Sequence, residues 1–228
     1  TKEPLQIVSI DELIASEFPP RKDLLGEWLC SQTLNMLYAW RGVGKTHAAL
    51  NIAFAVASGG EWLHWKAPKP SPILYLDGEM PANAIQQRLA EIIAASDLEP
   101  DPNFFRILTP DLNRERFMPD LATYEGQFEI EEHIGDAELI IVDNLSCLAR
   151  RGGKENEAES WQIVADWALQ QRANGRSVLF VHHAGKGGAQ RGTSKREDIL
   201  DTVIALKHPK DYEPREGARF ELHFEKSR

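Results

Sequence analysis

The segment Ala39-Trp40-Arg41-Gly42-Val43-Gly44-Lys45-Thr46 constrains this chain more than any other. An apolar run, Leu34 to Tyr38, leads into it. Lys45 to Ser58 follows, apolar almost all round, and stops at Gly59-Gly60. Strand, glycine loop and buried helix in that order are the context that a phosphate-binding loop of the Walker A type requires. The chemistry follows from the geometry. Gly42 and Gly44 let backbone N–H groups curl round an anion, and the helix N-terminus adds positive partial charge. Lys45 reaches the β- and γ-phosphates of ATP, and the Thr46 hydroxyl is placed to hold Mg²⁺. Arg41, Val43 and His47 belong to the same cradle. Ala39 stands where the usual pattern has its first glycine. Alanine is small but resists positive φ, so that corner is expected to be built differently.

Short apolar runs and helical patterns alternate through the rest of the chain. Ile73 to Leu76 ends in Asp77, and Pro81 opens a helix running to about Ala95. Phe104 to Leu108 is a weaker strand, and Tyr124 to Ile134 reads as an acidic, exposed helix. Leu139 to Val142 is a buried strand ending in Asp143, followed by helical spacing at Trp161, Val164, Ala165 and Ala168. Ser177 to Val181 is the next strand, and Leu200 to Leu206 and Arg219 to Phe224 close the chain. This alternation predicts an α/β fold, with a mainly parallel central sheet flanked by helices and function at the carboxyl ends of its strands. Residues 1–20, stopped at Pro19-Pro20, read as a short N-terminal arm, and residues 21–228 as one continuous domain.

Composition narrows the function classes. With 42% hydrophobic and 27% charged residues, the chain is expected to be an ordinary globule rather than a disordered one. Twenty-six basic against 35 acidic residues give −9, which excludes coating of nucleic acid by bulk charge. Cys30 and Cys147 are isolated, giving neither zinc spacing nor a disulfide framework. No apolar run approaches the ~20 residues that span a bilayer, so a cytoplasmic protein with no membrane partner is expected.

Asp143 ends a buried strand as a Walker B aspartate does, where it would hold the magnesium shell opposite Thr46. Many P-loop ATPases carry their catalytic glutamate immediately after that aspartate, but Asn144 occupies the slot here. Asp77-Gly78-Glu79 supplies the alternative. If the strand that it closes lies beside the phosphate-loop strand, Glu79 reaches the water that attacks the γ-phosphate. A carboxylate favoured by the helix dipole before Pro81 is the plainer reading of Glu79. His182 and His183 end the next strand. Neighbouring strand residues point to opposite faces, so one of them is expected to face the γ-phosphate, with His183 preferred and His182 left to the core.

The basic charge is local. Arg150, Arg151 and Lys154 follow the Asp143 strand, and Lys186, Arg191, Lys195 and Arg196 follow the histidines, both sets interleaved with glycine. These loops are the candidates for phosphate-backbone contacts with a nucleic acid strand, although solvated loops are the commoner meaning of such runs. Lys226 and Arg228 share one side of the last strand. In a ring of subunits they could meet a neighbour's nucleotide and supply an arginine finger in trans.

Taken together, the runs 37–46, 73–79, 139–143, 181–186, 191–194 and 224–228 resemble the RecA/DnaB-type P-loop superfamily, and most closely the RepA-like ATPases of plasmids and phages. That resemblance implies a RecA-like P-loop NTPase core and a homo-oligomer, in the form of a hexameric ring that hydrolyses ATP with Mg²⁺ between subunits. It also implies Glu79 as base, a strand-end histidine as γ-phosphate sensor, and a channel for single-stranded DNA lined by the loops after Asp143 and His183. Its strand order is what sets the Glu79 strand beside the phosphate-loop strand. Arg228 with Lys226 is the expected finger and Arg191 the reserve. A single domain with an arm leaves origin choice to an origin-binding or primase partner. The competing expectation is a nucleotide-switched interaction or loader protein without unwinding activity.

Overall fold

This computed structural model describes residues 5–150, 157–184 and 198–227. Helix α1 (Ile10–Ala15) is followed by a hairpin, β1 (Asp23–Leu25) and β2 (Leu29–Cys30), then β3 (Leu34–Ala39) and α2 (Lys45–Ser58). A second hairpin, β4 (Glu61–Trp62) and β5 (Trp65–Lys66), precedes β6 (Ile73–Asp77), α3 (Ala82–Ala94) and β7 (Phe105–Leu108). Next come α4 (Tyr124–Ile134), β8 (Leu139–Asp143), α5 (Leu145–Leu148) and α6 (Glu157–Ala173). The described chain closes with β9 (Ser177–His183), β10 (Thr202–Lys207) and β11 (Glu221–Lys226).

Seven strands form the central sheet in the order β11-β10-β3-β9-β8-β6-β7. All neighbours pair in parallel except β10 and β11, which are antiparallel. This is the α/β fold with a mainly parallel, helix-flanked sheet that the alternating pattern predicts. One expectation fails: β6 is not beside the phosphate-loop strand β3, because β8 and β9 stand between them. The reason lies in α2. It is apolar on nearly every side, so it packs against β3, β6, β8 and β9 together, and its crossover spans that width before β6 begins.

Strand parity sorts the core into two layers. Leu37, Tyr75, Leu139, Ile141, Leu179 and Val181 face α2 in one cluster. Met36, Tyr38, Leu76, Ile140, Val142, Val178 and Phe180 face Trp161, Val164 and Ala168 of α6 in the other. At about 1.5–3 kcal/mol per large apolar side chain, these clusters supply the main stabilisation of the sheet. The helix at 124–134 is not the exposed acidic helix expected from its charges. Gln127, Ile130 and Ile134 are buried, since the spacing of its few apolar residues gives it one inward face.

The hairpins carry an aromatic cap that period reading of short runs does not reveal. Trp62 and Trp65 stack with ring centroids 5.6 Å apart, and Trp28 and Phe224 meet Trp65 edge-on. At the other extreme is α1. Ser9 and Glu12 form a complete capping box, yet the helix buries none of its residues, and Ile7, Ile10, Ile14 and Phe18 are exposed. No helix among the described residues is long and apolar enough to cross a membrane.

Candidate active site

The parity that turns Leu139 and Ile141 towards α2 also turns Asp143, two residues on, to the same face. The same rule carries Asp77 with Tyr75, and His183 with Val181, to the face on which α2 starts. His182 faces the opposite layer and is buried. Carboxyl ends of β3, β6, β8 and β9 therefore converge on an open cleft of about 660 Å³. Arg41, Lys45, Thr46, His47, Glu79 and Asp143 are among the residues that line it, with His183 at its rim.

The phosphate loop is shaped by glycines at positive φ, +83° at Gly42 and +112° at Gly44, the latter being the N-cap of α2. A cap without a side chain leaves the first N–H groups of α2 free for an anion. Ala39 ends β3 as an ordinary strand residue, so the corner without glycine stays extended. Val43 is buried in the core, an anchor for the loop rather than part of its open surface. Lys45 Nζ donates to the carbonyls of Ala39 (3.1 Å) and Trp40 (3.0 Å), bracing the loop from within. Burial lowers the pKa of Lys45, while the charges of Asp143 and Glu79 oppose that shift.

Asp143 accepts from the Tyr75 hydroxyl at 2.6 Å and from Thr46. Burial pushes its carboxyl up to about 6, against the pull of those two hydrogen bonds. Asp77 is tied down differently: it accepts from Thr109 Oγ1 (3.0 Å) and the Met80 N–H (3.1 Å). It thereby fixes the turn that presents Glu79. Gly78 N–H donates to the Asp143 carbonyl at 2.8 Å, so the ends of β6 and β8 leave the sheet together. Glu79 thus reaches the cleft from its actual strand position. Its Oε2 accepts from Asn144 Nδ2 (2.5 Å) and Cys147 Sγ (3.8 Å) and lies 3.9 Å from His183 Nε2.

A magnesium ion fits this donor set. No group of three or more His, Cys, Asp or Glu side chains is arranged for a metal among the described residues. Magnesium asks for less, taking one or two protein oxygens with the rest from phosphates and water, and the Thr46 hydroxyl and Asp143 carboxylate meet at the loop.

The other sequence-predicted positions separate. Lys226 pairs in register with Val203 at the start of β10, which places it at the sheet edge opposite the cleft of its own chain. Arg150 is exposed; its N–H donates to Asp120 Oδ1 at 3.0 Å and its guanidinium to the Met118 carbonyl. Arg151, Lys154, Lys186, Arg191, Lys195, Arg196 and Arg228 lie outside the described residues. Five cleft residues were not anticipated: Met80, Asn144, Arg88 and Glu91 of α3, and Ala218. Asn144 alone had a signal, its place directly after the Walker B aspartate. Ala218 comes from the connection to β11, whose closeness shows in a Cβ 2.9 Å from where one on Gly44 would sit.

A family model described as an AAA domain matches residues 1–189. Among solved structures, the fold is similar to a KaiC-like protein from the archaeon Pyrococcus horikoshii. The TM-score is 0.58 at 16% identity, covering 87% of this chain and 81% of that one.

Proposed function

This chain belongs to the AAA-domain family; on that premise we propose that it is a RecA-type P-loop ATPase, hydrolyses ATP at the subunit interfaces of a ring and acts on single-stranded DNA. A helicase or helicase-like replication factor of the RepA-like kind is the reading. The observation that carries the catalytic part is the convergence of Lys45, Thr46, Asp143 and Glu79 on one cleft.

In hydrolysis the water oxygen bonds to the γ-phosphorus and the bond from that phosphorus to the β–γ bridging oxygen breaks. ADP and inorganic phosphate result, and the water proton passes to Glu79. Lys45 exchanges its two loop carbonyls for phosphate oxygens, so the loop is held in shape before the nucleotide arrives. The loop N–H groups at Gly42 to Thr46 take the remaining phosphate charge. Magnesium, held by Thr46 and Asp143, supplies neutralisation of the β- and γ-phosphate charge when bound. His183, 3.9 Å from Glu79, stands where a histidine can report the γ-phosphate to the loop that follows it.

The assembly is read from three features. Residues 1–20 form an arm and 21–228 the ATPase domain. The arm exposes Leu5, Ile7, Ile10, Ile14 and Phe18, an apolar surface suited to a neighbouring subunit. Lys226, remote from its own cleft, and Arg228 beyond it suit a finger acting in trans. The basic residues at 150, 151, 154, 186, 191, 195 and 196 follow the two strand ends at the cleft and suit a DNA backbone. Partner choice at an origin then falls to another protein.

The test is the ATPase rate with and without single-stranded DNA, run beside a native mass measurement. DNA-stimulated turnover by a multimer is expected. DNA-independent turnover by a monomer would overturn the assembly and the DNA partner, and a multimer indifferent to DNA would favour the loader reading.

A further inference from the structure

The position directly after Asp143 is where many P-loop ATPases keep their catalytic glutamate, and here it holds an amide that touches the glutamate of another strand. We propose that Asn144 is the positioning residue of Glu79, its amide holding Oε2 so that Oε1 is the oxygen that receives the proton of the attacking water. The inference rests on the reading of Glu79 as base.

Three observations carry it. The first is the contact itself: Asn144 Nδ2 stands 2.5 Å from Glu79 Oε2, a charge-assisted hydrogen bond of the strong kind. The second is that the amide cannot be turned round at no cost. Asn144 Oδ1 accepts from the Cys147 N–H at 3.1 Å and caps α5, so the opposite side of the amide, the donor side, is the one left for Glu79. The third is convergence. Cys147 Sγ and His183 Nε2 approach the same Oε2, so the hydrogen bonds and the ion pair to Glu79's carboxylate among the described residues fall on one oxygen.

Without such a restraint Glu79 would be a poor base. Its side chain is 58% exposed, on a turn, with three rotatable bonds to order before it meets the water. The Gly78–Asp143 hydrogen bond sets the backbones of the two strand ends side by side, and the amide extends that alignment to the reacting carboxylate. Misplacement of a base by about 1 Å costs on the order of 10²-fold in rate, which is the scale on which a single positioning contact acts.

The decisive variant is Asn144→Asp. It keeps the shape and still caps α5 through an oxygen, but turns the donor towards Glu79 into a second anion. A lower unfolding midpoint, since the new carboxylate is buried beside Glu79 and Asp143, with KM within about threefold and kcat at least about tenfold lower, is the expected result. Asn144→Ala, which also loses the cap, is expected to lower kcat similarly while lowering the unfolding midpoint. Glu79→Gln, run in parallel, is expected to bind ATP and not turn it over. If Glu79→Gln is inactive while both Asn144 variants keep kcat within about twofold of wild type, the positioning role is overturned and the base stands. If kcat falls only in step with stability and KM, Asn144 is a cap and nothing more. Normal turnover by Glu79→Gln would remove the base, and the positioning role with it.

Discussion

The hydroxyl of Tyr75 donates to Oδ2 of Asp143 across 2.6 Å, at a point where both side chains are closed to solvent. With Thr46 it opposes the burial that pushes the Asp143 carboxyl from its ordinary 3.8 to about 6. The folded protein therefore holds an anion that the unfolded chain would carry more easily in water. Between those two pH values the unfolded chain releases its proton first, so stability falls as pH rises through that window and is level above it.

Asp143→Asn removes this burden. The variant is expected to be more stable than the nucleotide-free protein by about 1–3 kcal/mol at pH 7, with little gain near pH 3.5, where the folded state is protonated and the unfolded chain mostly so. Chemical denaturation at the two pH values checks it. Magnesium-dependent hydrolysis is expected to be lost in the same variant, as a carboxylate kept at a cost for its chemistry should behave. A loss of stability at pH 7 would mean that the hydrogen bonds from Tyr75 and Thr46 outweigh the burial.

Lys45 is bound to its own loop before any nucleotide arrives, and both acceptors are main-chain carbonyls. Lys45→Ala should weaken nucleotide binding by about 100-fold or more, the equivalent of roughly 3 kcal/mol of charge-assisted contacts. Lys45→Arg is not expected to rescue it, because a planar fork cannot take the place of a compact ammonium that moves from two carbonyls to the phosphate oxygens. Titration with a fluorescent ATP analogue measures both.

The two histidines at the end of β9 should separate cleanly. His182 is buried in the layer that faces α6, so His182→Ala should lower the unfolding free energy by about 1–3 kcal/mol. His183 faces the cleft, so His183→Ala should leave stability near wild type and change ATP turnover or its response to DNA. Parallel melts and rate measurements on both variants settle the assignment, and the reverse pattern would move the sensor to His182.

Most of the fold was legible because its signals are local. The 45–58 helix appears with the expected bounds and the 34–38 strand is one residue longer, ending at Ala39, since an apolar run, two glycines and a fully apolar helix leave little other arrangement. Parity reserves one of His182 and His183 for the cleft, and the structure puts His183 there and Asp143 beside the loop. Strand order was not local. Nothing in the composition of α2 states how many strands it spans, and the strand order implied by the resemblance, with β6 beside β3, fails here because β6 lies beside β8. Asn144 was visible only as a missing glutamate. Its contact with Glu79 depends on two strand ends, 65 residues apart in sequence, leaving the sheet in register. The Trp62–Trp65 hairpin escaped for a third reason: its strands are two residues each, too short for any period.

Gly42 and Gly44 both sit at positive φ, but only one of them is also crowded, and the difference is measurable. A Cβ on Gly42 would meet nothing within 4 Å, so Gly42→Ala carries only the conformational cost of the left-handed region, about 1–2 kcal/mol. A Cβ on Gly44 would lie 2.9 Å from Ala218 Cβ and 3.4 Å from its Cα, at a φ of +112°. The connection to β11 would have to lift from the loop to admit it, and that connection is one wall of the cleft. Gly42→Ala is therefore expected to bind ATP more weakly with a modest loss of stability, whereas Gly44→Ala should lose both binding and several degrees of unfolding midpoint. The double variant Gly44→Ala with Ala218→Gly separates the two causes, because it removes the clash and leaves the φ strain. Partial recovery of the midpoint is expected, down to the level of Gly42→Ala. No recovery would show that strain at Gly44, rather than contact with Ala218, sets the shape of the phosphate loop.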